Sequence, residues 1–81
     1  MVEVVAIKRR SRIDISAEIL DAAMSGANKT QIVYNANLNF SIAKKYLEML
    51  EKKELIRKEG DRYVTTEKGK TFHDLAMILK L

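Results

Sequence analysis

A chain of 81 residues has room for one domain, and at this length folding removes only about 60% of the unfolded chain's surface from water, so its core is thin. With 47% hydrophobic residues and neither proline nor cysteine, the composition is globular, yet it excludes disulfides, cysteine-based zinc sites and a thiol nucleophile; packing or oligomerisation must supply stability. Fifteen Lys and Arg against eleven Asp and Glu leave a charge of +4, which favours a polyanionic partner, and no apolar run approaches the roughly 18 residues of a membrane-spanning helix.

Met1 to Ile7, interrupted by Glu3, lacks the form of a secretion signal, so a cytoplasmic protein is expected. The β-branched VEVVAI segment suits a short strand or a packed arm. Lys8, Arg9, Arg10 and Arg12 then place four positive charges within five residues. Two readings stand side by side: a solvated, frayed arm, or an extension that follows phosphates, which basic side chains neutralise regardless of base sequence. Residues 1–11 are therefore expected to form an N-terminal strand or basic arm, and 12–81 the folded domain.

Ser11 followed three residues later by Asp14 has the form of a helix-start box, and Ile15, Ile19, Ala22 and Ala23 recur on one face until Gly26. A second helix is expected from Thr30, read as its N-cap, with Ile32, Val33 and Ala36 inward. Asn35, Asn37 and Asn39 then mark a tight turn, because Asn tolerates left-handed backbone and bonds its own main chain. Ser41 is read as the cap of a third helix running to about Lys53, with Ala43, Tyr46, Leu47 and Leu50 on one face and Lys44, Lys45, Glu48, Glu51 and Lys52 on the other.

The segment LIRKEGDRYVTT reads as two short strands joined across Gly60 and Asp61. Thr66 can cap a last helix, Glu67 to about Lys80, with an apolar stripe of Phe72, Leu75, Ala76 and Leu79. Met77, Ile78 and Leu81 widen that stripe beyond what one small domain covers, which predicts packing against a second copy.

Helix, helix, asparagine turn, amphipathic basic helix, hairpin, helix is the order of a winged helix-turn-helix: mainly α with a small β-hairpin wing, in the α+β class. A helix of about 12 residues enters the major groove of duplex DNA when its outer face is small, polar or basic, and its N-terminal end presents unpaired amides and the positive end of its dipole. Asn39, Ser41, Lys44, Lys45 and Glu48 lie there, with Lys29, Thr30 and Tyr34 at the helix-turn-helix entrance. Arg57, Lys58 and Arg62 flank the hairpin tip. Glu54, Glu59 and Asp61 would repel phosphate, so only one side of the hairpin is expected to approach DNA. Taken singly, these cations also read as ordinary solubilising charges; their joint placement favours a DNA-associated protein.

The stretch KTQIVYNANLNFSIAKKYLEMLEKKELI, followed by RYVTTEKGKTF, resembles the small archaeal winged-helix family that includes the ten-a chromatin proteins of Sulfolobus and related viral and plasmid regulators. The resemblance runs from about Arg12 to Phe72 and is carried by Lys29-Thr30, the asparagine turn with Leu38, Lys45-Tyr46-Leu47, Leu55-Ile56 and Thr66 to Gly69. It implies a homodimer held by C-terminal helices, presenting two recognition helices to double-stranded DNA. Family members commonly have Gly where Glu54 stands, and in the long forms the last helix continues well beyond the position of Leu81. A compact dimer using Phe72, Leu75, Met77, Ile78 and Leu81, helped by VEVVAI, is expected here.

Other functions find little support. Tyr46 and Tyr63 read as core residues, not as stacking platforms, whereas Tyr34 can reach a phosphate. His73 is the single histidine and has no ligand set around it, so neither a metal nor another cofactor is expected. No glycine-rich phosphate loop and no nucleophile paired with a base appears, which argues against an enzyme and against a small-molecule substrate. The competing reading is a winged helix that docks another protein; such a module would expose apolar anchors on the recognition face.

Overall fold

Ser11 opens the first helix as its spacing to Asp14 predicts: its hydroxyl accepts from the Asp14 amide while the Asp14 carboxylate accepts from the Ser11 amide, closing both halves of a capping box. The computed structural model describes residues 10–79; the N-terminal VEVVAI segment, Lys8, Arg9, Lys80 and Leu81 lie outside the described residues. In chain order the elements are α1 (Arg12–Ala22), β1 (Ala27–Asn28), α2 (Lys29–Asn35), α3 (Phe40–Lys52), β2 (Ile56–Glu59), β3 (Arg62–Thr65) and α4 (Glu67–Leu79).

Two caps differ from expectation. Helix α2 is capped by Asn28 and not by Thr30, since Asn28 and Gln31 form a second capping box with bonds of 2.8 and 2.9 Å. Helix α3 is capped by Asn39 and not by Ser41: the Asn39 side-chain oxygen accepts from the Ile42 amide at 2.8 Å, which leaves Ser41 inside the first turn. In both cases an Asn two residues upstream takes the extended conformation that an N-cap requires.

Helices α2 and α3 end alike. After α2 the Leu38 amide returns to the Val33 carbonyl and the Asn37 amide to that of Tyr34; after α3 Leu55 returns to Leu50 and Glu54 to Glu51. Both patterns are Schellman motifs, whose pivot residue must turn left-handed. Asn37 (φ 55°) and Glu54 (φ 63°) are those pivots. The first is an asparagine, as the turn reading requires, and the second is a residue that adopts this conformation only at a cost.

The hairpin closes across Gly60 and Asp61, with Gly60 at φ 65° in the first turn position, and pairs Ile56 with Thr65 through Glu59 with Arg62. Strand β1, too short to leave a pattern in the sequence, pairs Ala27 with Tyr63 and Asn28 with Arg62, making a three-stranded antiparallel sheet in the order β1-β3-β2. Thr65 fastens the sheet to α1: its buried hydroxyl donates to the Leu20 carbonyl at 2.6 Å and its amide to that of Ala23 at 3.0 Å.

The core joins Ile19, Leu20 and Ala23 to Ile32 and Ala36, Leu47 and Leu50, and Leu55, Ile56 and Tyr63, with Phe72 and Tyr46 packed partly against it. Because α2, α3, α4 and β3 all pack on α1, that helix buries Ser16, Ala17 and Leu20 as well as Ile19 of the expected stripe, which Ala23 continues just past its end, while Ile15 and Ala22 are only half-buried. In α4 the expected stripe divides. Ala76 is buried and Phe72 half-buried, whereas Leu75 and Leu79 face outward. Among the described residues no helix is long and apolar enough to cross a membrane.

Candidate nucleic-acid interface

Helix α3 stands at the surface with its inner side locked by Ala43, Leu47 and Leu50, and its outer side carries Ser41, Lys44, Lys45, Glu48 and Lys52, with Ser41, Lys44, Lys45, Glu48 and Lys52 all exposed. Asn39 also sits at this end; its side-chain oxygen accepts from the Ile42 amide in the cap, and its amide NH2 is the donor that can meet a ligand. Thr30 is exposed and Lys29 half-buried at the start of α2, and Tyr34 projects from the same helix at 84% exposure.

On one flank of α3, Arg12 from the start of α1 meets Lys45 and Lys53 around an open cleft with Tyr46 and Met49 in its walls. Lys53 does not stand out in the sequence, because it follows the last helical turn and belongs to no stripe. The fold brings it beside a cation 41 positions earlier in the chain, a pairing that no local spacing encodes.

The basic segment ahead of α1 is partly engaged by the protein itself. The Arg10 guanidinium pairs with Glu18 and donates to the carbonyls of Ala36 at 2.6 Å and Asn37 at 3.0 Å. In the wing, Arg57 lies 2.7 Å from Glu59, Lys58 sits 5.7 Å from the centre of the Tyr63 ring, and Arg62 donates to the Gly26 carbonyl at 2.8 Å. The expected separation of charges across the hairpin is incomplete. Register puts Arg57 and Glu59 two residues apart on one strand, hence on one face, together with Arg62 opposite Glu59. Two cations and one carboxylate share the outer face of the wing.

At the start of α3 the sequence marks Ile42 as an apolar residue left over on the outer face, but not nearby Phe40. Phe40, the first residue of the helix, is 53% exposed, and Ile42 is 40% exposed. His73 lies between Asp21 and Asp74, each at 3.3 Å, and among the described residues no group of three or more His, Cys, Asp or Glu could hold a metal ion.

A helix-turn-helix pair whose second helix is exposed along its polar side, followed by a hairpin and a closing helix, defines the winged helix-turn-helix class. A winged helix-turn-helix family profile matches residues 9–80, and the chain belongs to that family. It is similar to an uncharacterized protein of Methanocaldococcus jannaschii, 33% identical over 66 residues that span 80% of this chain and 68% of that protein. The crystal structure of Sso10a-2, a DNA-binding protein from Sulfolobus solfataricus, superposes with a TM-score of 0.79 and 32% identity, covering 88% of this chain and 79% of the other. Both relatives are archaeal, in keeping with the family resemblance.

Proposed function

We propose that the protein binds double-stranded DNA as a homodimer and acts as a transcriptional regulator or chromatin-associated protein. The observation that carries this reading is the outer face of α3, where Ser41, Lys44 and Lys45 are exposed at the N-terminal end of a helix whose opposite face is locked into the core. Such a face combines phosphate neutralisation with a helix slim enough for the major groove. Thr30 borders the start of α3 together with Phe40, and Arg12 with Lys53 flanks Lys45, positions that suit contacts to phosphates beside the groove. The DNA-binding character of Sso10a-2 supports the same reading.

The homodimer rests on α4. Leu75, Ile78 and Leu79 are 55%, 63% and 75% exposed along one side, with Met77 exposed on another, more apolar surface than a helix of a monomer ordinarily leaves in water.

Fluorescence anisotropy with a random-sequence duplex and with the protein's own upstream region, titrated at several salt concentrations, tests the proposal. If each subunit neutralises about four phosphates, log affinity falls with log salt at a slope of roughly −7 for the dimer. Tighter, less salt-sensitive binding to the upstream duplex identifies a regulator; equal, salt-steep binding identifies a DNA-coating protein. A slope near zero overturns the reading. One observation favours a protein-docking module instead: Phe40, Ile42 and Tyr34 are apolar or aromatic and lie exposed on or beside α3. Absence of binding at low salt would select that alternative.

A further inference from the structure

Nothing in the packing of the domain requires Phe40 to be aromatic. It opens α3 with half of its surface in water and borders a shallow depression lined by Thr30, Val33, Tyr34, Asn37 and Leu38, on the side of α3 that faces α2. One turn on, at the four-residue spacing that brings helix side chains together, stands Lys44. From Ala22 to Leu47 the chain contains no Asp or Glu, so every charged side chain of α2 and of the first two turns of α3 is a lysine. An apolar side chain carried on helical turns whose charged residues are all lysines suits a partner that is itself a polyanion with small apolar groups between its charges.

Resting on the reading of α3 as a helix that enters the major groove, we propose that Phe40 reads thymine there. The thymine C5 methyl is the apolar group displayed on the groove floor, and it distinguishes A·T pairs from G·C pairs in a groove whose other markers are hydrogen-bonding atoms. The first residues of a recognition helix are those that reach base edges. Phe40 occupies the first helical position, and the depression between its ring and α2 offers a seat for a methyl group while Lys44 and Lys29 meet the phosphates on either side. The protein therefore prefers duplexes that present thymines to α3, and the exposed aromatic side chain is a specificity determinant.

The test compares two duplexes of one A·T-rich sequence, one with thymine and one with uracil, which lacks only the methyl group. Wild-type protein binds the thymine duplex more tightly, by about fourfold for each thymine methyl that Phe40 covers, the factor that corresponds to about 0.8 kcal/mol for one buried apolar carbon. Phe40→Ala binds both duplexes equally, and Phe40→Leu, which keeps an apolar side chain, retains the preference. Melting curves show both variants folded, Phe40→Ala with a modest drop in Tm because half of the side chain is already in water.

Equal binding of both duplexes by the wild type overturns the proposal while leaving DNA binding itself intact. A thymine preference that persists in Phe40→Ala overturns it too, since the methyl would then be sensed elsewhere or through duplex shape. Failure to bind either duplex at low salt overturns both this inference and the function on which it rests.

Discussion

The guanidinium of Arg10 donates to the carbonyl oxygen of Ala36 at 2.6 Å, and Ala36 is the residue on which α2 ends. The same group reaches the carbonyl of Asn37, the left-handed pivot of the turn, and pairs with Glu18 on α1. The last carbonyls of a helix lack intrahelical partners and carry the negative end of its dipole, so a cation placed across them stabilises the turn it closes. Arg10 thereby ties the entry of α1 to the joint between α2 and α3.

Replacing Arg10 by Ala is expected to lower stability by about 1 kcal/mol, since its interactions are charge-assisted but one-third exposed, and to lower Tm by about 4–8 °C for a domain of this size. DNA affinity falls with it, yet the slope against salt stays unchanged because this guanidinium is engaged inside the protein. A slope shallower by about one unit per subunit would show instead that Arg10 meets phosphate. Thermal melting and salt titration read the two effects separately.

Lys44→Ala combined with Lys45→Ala is expected to do the opposite. Both side chains are exposed on the outer face of α3, so folding is unaffected while two cations per subunit are withdrawn from the phosphates. The salt slope of the dimer then moves from roughly −7 to roughly −3.5. An unchanged slope would place the DNA elsewhere.

Glu54 sits at φ 63° as the pivot of the Schellman motif after α3. Glu54→Gly removes the steric penalty of that conformation and is expected to stabilise the domain by about 1 kcal/mol, whereas Glu54→Ala, which keeps a Cβ, leaves stability close to the wild type. Denaturant midpoints of the two variants check the difference.

Gly69 lies within α4, where Ala would ordinarily be favoured by about 1 kcal/mol. Here the sign reverses. A Cβ at this position would overlap the Leu55 carbonyl oxygen and come within 2.8 Å of Thr65 Cγ2, so Gly69→Ala is expected to destabilise by about 2–3 kcal/mol. A rise in Tm would refute the close approach.

Leu75→Glu or Ile78→Glu is expected to yield monomers that fold normally, since both side chains are exposed within one chain and removal from water would come only from a second. Sedimentation velocity reads the outcome. An undisturbed dimer would move the interface off this side of α4.

Which of these features can be read in the sequence depends on whether one residue type has one preferred use. The Ser11–Asp14 box, the left-handed Asn37 and the Gly60 turn are legible because Ser, Asn and Gly are strongly selected at such positions. Glu54 is not, since glutamate carries no sign of a left-handed backbone. The caps at Asn28 and Asn39 are masked by nearby Thr30 and Ser41, residues equally able to cap but already inside the helix. The exposed polar face of α3 is legible as a periodic row of charges. The engagement of Arg10 with Ala36 and of Arg62 with Gly26, 26 and 36 positions apart, is not, because it follows from tertiary placement alone.

The absent side chain at Gly69 lets α4 lie directly against the backbone of Leu55, while Thr66 bridges the same corner by donating its hydroxyl to the Glu54 carbonyl at 2.7 Å and accepting from the Gly69 amide at 3.0 Å. Helix α4 therefore leaves the domain at a fixed angle to the end of α3. If two copies join through α4, that angle sets both the distance and the helical phase between their groove-facing surfaces. The corner at Gly69 then decides how many base pairs separate the two half-sites one dimer can occupy.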